Sequence, residues 1–327
     1  MKGEQQMRNK VKHIINDYNS LLFCLLLIIG SIIFIPKFLS GNNIINILIE
    51  VSMLGFFTIG MSLLFIVGHF DMSMGMQITF GVMLVALTVN KIGIIAAMIL
   101  CIVGCMVLGL INSVIVTQLK VSSWITTFAM QGTLKGVCLA VCDGNPIYIG
   151  NEKLIAVFNT NILGVPLSVL VVIILAVAAQ MFLTFTKTGS DMYMLGGNAE
   201  AATYSGVSST KVTIIAFVLS GFMVGVGAFL LAARVNSYNA TMGIEYTIAA
   251  ITAGVVGGVK FSGGYGTMLN AMLGVLAMKL VNNIMYMTNT YGFYITLVNG
   301  LILVLVLMID SISARMSRNA KMHLKRG

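Results

Sequence analysis

The side chains that could do chemistry in this 327-residue chain are few and far apart. Acids near apolar sequence are Glu50, Asp71 and Glu245; bases within it are Lys135 and Lys279. Ion-coupled carriers embed acids at mid-membrane as relays, and none of these acids falls at the centre of an apolar run. Each lysine lies about six or seven residues from a run's end. From there its long stem can carry the ammonium to the interface; a place on a polar route is the competing assignment. Cys24, Cys101, Cys105, Cys138 and Cys142 have no His or carboxylate companions and read as small apolar residues. His13, His69 and His323 are scattered and make no ligand set. No Gly-x-x-x-x-Gly-Lys-Ser/Thr loop and no nucleophile elbow occurs, so no cofactor, bound metal or catalytic role is expected. A solute pump built on this chain would draw energy from a separate ATPase or from an ion gradient.

One polar segment, Thr188 to Val207, has a pattern of its own. Within it Asn198 is a natural helix cap, Ala199-Glu200-Ala201-Ala202 favours a short helix, and Gly206 suits its end. A short amphipathic helix held between two spans would give a partner protein something rigid to push.

The elements that must position these residues follow from composition. Only 9% of the chain is charged, 58% is apolar and the mean hydropathy is +0.99. Soluble domains carry about a quarter charged residues, so this is an all-α polytopic membrane bundle. Ten spans of roughly membrane-crossing length are expected near 20–36, 44–67, 72–90, 92–117, 121–141, 166–186, 211–233, 246–258, 266–286 and 292–310. The first lacks a cleavage pattern and is read as retained. The eighth is short and Gly-rich, and is expected to be broken or tilted. With the N-terminus inside, thirteen Lys or Arg fall on the inner side (Lys2 to Lys12, Lys120, Lys187, Lys211, Lys260 and Arg315 to Arg326). Four fall outside: Lys37, Lys91, Lys153 and Arg234. This bias places both termini and the loop 188–211 in the cytoplasm, with loops 142–165 and 234–245 outside. The net charge of +9 sits at the ends with no basic, aromatic-laced stripe, which excludes nucleic acid as a partner and suits an anionic lipid surface. Residues 1–327 read as one permease-type domain.

An internal repeat aligns Gly68-His69-Phe70-Asp71-Met72-Ser73-Met74-Gly75 with Gly257-Gly258-Val259-Lys260-Phe261-Ser262-Gly263-Gly264. It sets Asp71 opposite Lys260 and follows two spans of the same direction, as expected of a duplicated transporter.

Glu200-Ala201-Ala202 followed by Gly206 resembles the coupling motif of binding-protein-dependent ABC importer permeases. The wider Gly196-Gly197-Asn198 and Ser205-Gly206-Val207 context is similar to the ribose/galactoside/xylose permease family, and the likeness covers nearly the whole chain. Gly68 to Gly75 resembles that family's Gly-Gly-Ile-Asp-Leu-Ser-x-Gly element. Lys135-Gly136, Gly144-Asn145-Pro146-Ile147 and the late glycines Gly257 to Gly266 resemble others. The chain departs from it at Ser190, Thr203 and Lys135, where arginine is common, at His69 for glycine, and at Thr247 for glutamate.

The resemblance implies a vitamin-B12-importer-like architecture and an inner-membrane location. It implies ATP hydrolysis on a separate cytoplasmic ABC ATPase, an extracytoplasmic solute-binding protein, and a homodimer or a heterodimer with a homologous permease. Gly197, Asn198, Glu200, Ala201, Ala202 and Gly206 would carry coupling. Asp71, Trp124, Thr127, Lys135 and Asn282 would offer a sugar hydroxyl, amide, charged and aromatic partners along the pathway. The implied cargo is a monosaccharide, with autoinducer-2 or a nucleoside as alternatives. An ion-coupled secondary transporter is the rival from another class.

Overall fold

The computed structural model describes residues 21–306 and 308. The basic ends counted above, with His13 and His323, lie outside them. The described chain is mostly helical, beginning with α1 (Leu21–Phe34), α2 (Gly41–Val67), α3 (Met74–Ile92), α4 (Ile94–Gln118) and α5 (Ser123–Val141). After β1 (Ile147–Tyr148) come α6 (Glu152–Asn159), β2 (Asn161–Ile162) and β3 (Val165–Pro166). They lead to α7 (Leu167–Phe185), α8 (Lys187–Gly197), α9 (Ala199–Tyr204) and α10 (Ser209–Val235). The last elements are β4 (Ser237–Tyr238), α11 (Ile244–Gly257), α12 (Met268–Met287) and α13 (Gly292–Val306).

The ten expected spans all coincide with helices, but among the described residues six helices are long and apolar enough to cross a membrane: α2, α3, α4, α7, α10 and α12. The expected count of ten is corrected to that extent. α5 is long enough, yet Thr126, Thr127, Gln131, Thr133 and Lys135 make it too polar. α1 and α13 reach the limits of the described residues. α11 is short for a structural reason given below.

α2 is the axis of the bundle. Its sequence is apolar on every side, and each residue from Ser52 to Val67 is buried, as expected of a helix ringed by others. α7, α8, α10, α11 and α12 surround it. α4 is two-faced: Ala97, Cys101, Cys105, Leu108 and Asn112 face the bundle at helical spacing, while Ile95, Ile99, Val103 and Val107 are left for lipid. Cys101 and Cys105 pack flat against Gly81 of α3, and all five cysteines are buried thiols.

Helix directions divide the bundle into two ends. The end of α2 meets α8, the start of α12 receives Gln180 of α7, and α9 leads into α10, so these share one end. At the other end β1 pairs antiparallel with β4, Ile147 against Tyr238, joining the two loops read as 142–165 and 234–245. Asn90 near the end of α3 ties the same region down, donating to the Ile149 carbonyl at 2.7 Å and accepting from Asn151 at 2.7 Å.

α11 is continuous but begins inside the bundle. Tyr246 meets Phe57, midway along α2, with ring centroids 5.0 Å apart. There the first turns of α3 and α11 interlock: Gly75 N–H donates to Thr247 Oγ1 at 2.8 Å, and Gly243 N–H to Thr79 Oγ1 at 3.0 Å. A 14-residue helix therefore reaches only one end.

The internal repeat is present in a different register. Gly68 and Gly258 are the left-handed caps that end α2 and α11, at φ 83° and 97°. Each donates to the carbonyl three residues back, and the next residue to the one five back (His69 to Leu64, Val259 to Gly254). Geometry thus pairs Gly68 with Gly258 and Asp71 with Phe261, not Lys260. Shared Ser and Gly spacing had favoured the neighbouring alignment. The two helices do run in parallel, as expected.

Candidate functional site

At the α8–α9 end a short helix stands proud of the bundle. Asn198 Oδ1 accepts from Ala201 N–H at 3.0 Å and starts α9; Gly206, at φ 83°, ends the turn after it. Ala202 is buried and anchors the helix, whereas Gly197, Asn198, Glu200, Ala201 and Gly206 are exposed, as is Tyr204 at 85%. The residues expected to carry coupling are therefore gathered on one projecting element. The sequence reading missed α8, which connects it to the core. Thr186 caps α8 by accepting from Gly189 N–H at 3.0 Å, and Met192 and Leu195 bury its inner face.

The end of α8 is joined backbone to backbone with two other elements. A Cβ at Gly196 would collide with the Ile66 carbonyl of α2, and would lie 2.6 Å from Gly264 N. Gly264 N–H donates to that same Ile66 carbonyl at 2.9 Å. Gly264 also needs a left-handed φ of 73°, so no side chain is tolerated on either side of the contact. Tyr193 Oη donates to the Gly266 carbonyl at 2.6 Å, and burial pushes its phenol pKa up. Close backbone contacts and the Tyr193 hydrogen bond thus tie the end of α8 to α2 and to the loop after α11.

The residues expected along a pathway separate into three places. Asp71 is buried and accepts from Ser73 N–H at 2.8 Å, Ser73 Oγ at 2.5 Å, Gln77 Nε2 at 2.6 Å and Asn112 Nδ2 at 3.3 Å. Thr127 adjoins it, its hydroxyl accepting from Met72 N–H at 2.9 Å. Together they fix the start of α3. Trp124 is half exposed beside Phe128 on α5, and Lys135 is exposed further along the same helix with no ion pair among the described residues. Asn282 stands apart from both.

Asn282 lines a cavity of about 500 Å3 at the end opposite α9, formed where α2, α10 and α12 converge. Glu50 of α2 lines it and bridges two cations. One carboxylate oxygen accepts from Arg234 of α10 at 2.5 Å and the other from Lys279 of α12 at 2.8 Å. Around them stand Asn43, Asn46 and Asn283, with Tyr286 at the rim. Asn43 and Asn283 exchange hydrogen bonds at 2.8 and 3.2 Å. Asn282 Oδ1 is shielded and has no hydrogen-bond partner. Lys279 is thus paired rather than snorkelling. Opposite charges on separate spans were the available signal, but 184 and 229 residues separate the partners. Among the described residues no group of three or more His, Cys, Asp or Glu is placed to hold a metal.

Residues 43–309 match the family described as branched-chain amino acid transport system / permease component. Among curated relatives, the ribose import permease protein RbsC of Bacillus subtilis is 32% identical over 88% of this chain and 90% of its own length. The L-arabinose transport system permease protein AraH of Escherichia coli is 29% identical over 93% of each chain. A probable ABC transporter permease protein of Escherichia coli, YphD, is 30% identical over 96% of this chain and 95% of its own. No solved structure matches. With a family match across most of its length and a helical bundle that ends in a projecting capped helix, the chain belongs to this family of membrane-embedded transport-system permease components.

Proposed function

We propose that this chain is the membrane-spanning subunit of an ATP-driven importer for a small neutral monosaccharide, set in a bacterial inner membrane with α8 and α9 on the cytoplasmic face. The observation that carries the reading is α9: capped by Asn198, anchored by Ala202 and presenting Glu200 and Tyr204 outward on a rigid base. A cytoplasmic ABC ATPase pair would grip this helix. An extracytoplasmic binding protein would dock on the opposite end, where β1 and β4 join the two outer loops into one platform. Two copies, or this chain and a homologue, would enclose the pathway. Movement of α9 would pass through Gly196 to α2 and α11, and from the start of α11 to α3 beside Asp71 and Thr127. That is a conformational switch of access and not covalent catalysis.

The family description names branched-chain amino acids, whereas the relatives RbsC and AraH are named for ribose and L-arabinose. The cavity favours the sugar. Seven of its ten lining residues are amide or charged, beside Ile47, Tyr286 and Met287, so it supplies the many hydrogen-bonding partners that sugar hydroxyls need. Autoinducer-2 and nucleosides are competing cargoes of related hydroxyl chemistry. The test is uptake of radiolabelled D-ribose, L-arabinose and L-leucine by proteoliposomes holding permease, ATPase and binding protein. Sugar uptake that requires internal ATP and persists with an uncoupler is expected. Uptake that collapses with the uncoupler and continues without the ATPase would establish an ion-coupled carrier instead.

A further inference from the structure

We infer that the cavity around Glu50 is a binding station for a neutral polyhydroxylated solute, and that Glu50, held between Arg234 and Lys279, sets its specificity. The inference rests on the sugar-importer reading and adds to it the place and the chemistry of contact.

Four observations support it. The space, about 500 Å3, is in the range of small-molecule sites and accommodates a monosaccharide with a few waters. Its polar groups converge from three helices, so the arrangement is built by the fold and not by one surface. It contains both kinds of hydrogen-bonding partner a vicinal diol needs. Arg234 and Lys279 donate, and the Glu50 carboxylate retains accepting lone pairs beyond its two ion pairs. Tyr286, 65% exposed at the rim, offers an aromatic face to a sugar ring.

Charge narrows the class. A cationic solute would meet two cations, and an anionic one would have to compete with the Glu50 carboxylate for the two cations it already holds. A neutral polyol meets neither obstacle. Such a station must also release what it binds, so affinity is weak, with a Kd on the order of 1 mM. An importer that relies on a separate binding protein for capture has no need of more.

The experiment uses the complete importer and an introduced thiol. All five native cysteines are buried, so Asn46→Cys supplies a reactive thiol in the cavity. Its modification by a small methanethiosulfonate reagent is timed with and without about 10 mM D-ribose, L-arabinose or D-gluconate, the concentration being some ten times the expected Kd. Whichever neutral sugar the same proteoliposomes accumulate should slow modification about tenfold by simple occupancy. Gluconate should not, and adding Glu50→Gln should abolish the protection. Equal rates in all conditions, protection by gluconate alone, or protection that survives Glu50→Gln would overturn the assignment. Sugar uptake without protection would refute the station and leave the importer standing. Uptake of none of the sugars would remove the reading and the station together.

Discussion

The two ends of this molecule are built on opposite principles. At the α8–α9 end, glycine backbones touch directly: Gly196 lies against the Ile66 carbonyl and Gly264, where no side chain fits. At the other end, α2, α10 and α12 enclose a polar space bridged by long, charged side chains. In the proposed importer the first end would transmit displacement, because it has no slack. The second would exchange partners, because its contacts are hydrogen bonds that a hydroxylated solute can imitate. On that proposal the difference is what would couple a push to the release of cargo.

Changes that break the stiffness of the first end should have the largest effect. Gly196→Val forces backbone apart, and overpacking of this kind costs about 1–3 kcal/mol or more. Sugar uptake should fall by about tenfold to a hundredfold while the ATPase still co-purifies; unchanged uptake would show that the glycine junction is not the transmission route. At the second end, Glu50→Ala leaves Arg234 and Lys279 facing each other without their shared anion. Glu50 is partly exposed, so the loss should be about 1–2 kcal/mol, below the cost of breaking a fully buried pair. Thermal unfolding in detergent should shift down by a few degrees, and Glu50→Gln should recover part of it. Asn198→Ala removes one cap from α9 at about 1 kcal/mol. Faster proteolysis near residue 204 with unchanged global melting would mark the loss as local. Trp124→Ala and Lys135→Ala touch exposed side chains of α5 and should change stability by less than about 0.5 kcal/mol. If uptake nevertheless falls with either, α5 lines the pathway as its sequence suggested.

Much of the architecture was legible because membrane helices advertise themselves. Ten apolar runs gave ten helices, and the Asn198–Gly206 pattern gave a capped short helix at its observed place. These signals are local, resting on hydropathy, capping and the φ preference of glycine. α8 was not legible, since its polar Lys187–Gly197 sequence has no strong helical period and its inner face is defined by what packs above it. The interior start of α11 was also hidden. Its shortness was visible, but its interlock with Gly75 and Thr79 depends on contacts more than 160 residues apart. The cavity was the hardest to read. Asn282 was singled out and Glu50 and Lys279 were noticed separately, but only the fold brings them together. Arg234 was counted as a loop charge and proved to be a cavity wall.

α9 is the proposed attachment point of an ATPase, and co-purification of that ATPase from the same membranes tests this most directly. The comparison needs the unaltered chain, Glu200→Arg on the projecting helix, and Lys153→Glu on exposed α6 at the other end. Loss of a centrally placed interface charge contact weakens association by at least about tenfold. Glu200→Arg should therefore strip the ATPase from the permease without lowering the amount of permease in the membrane, while Lys153→Glu retains it. Equal recovery of ATPase with all three would contradict the account.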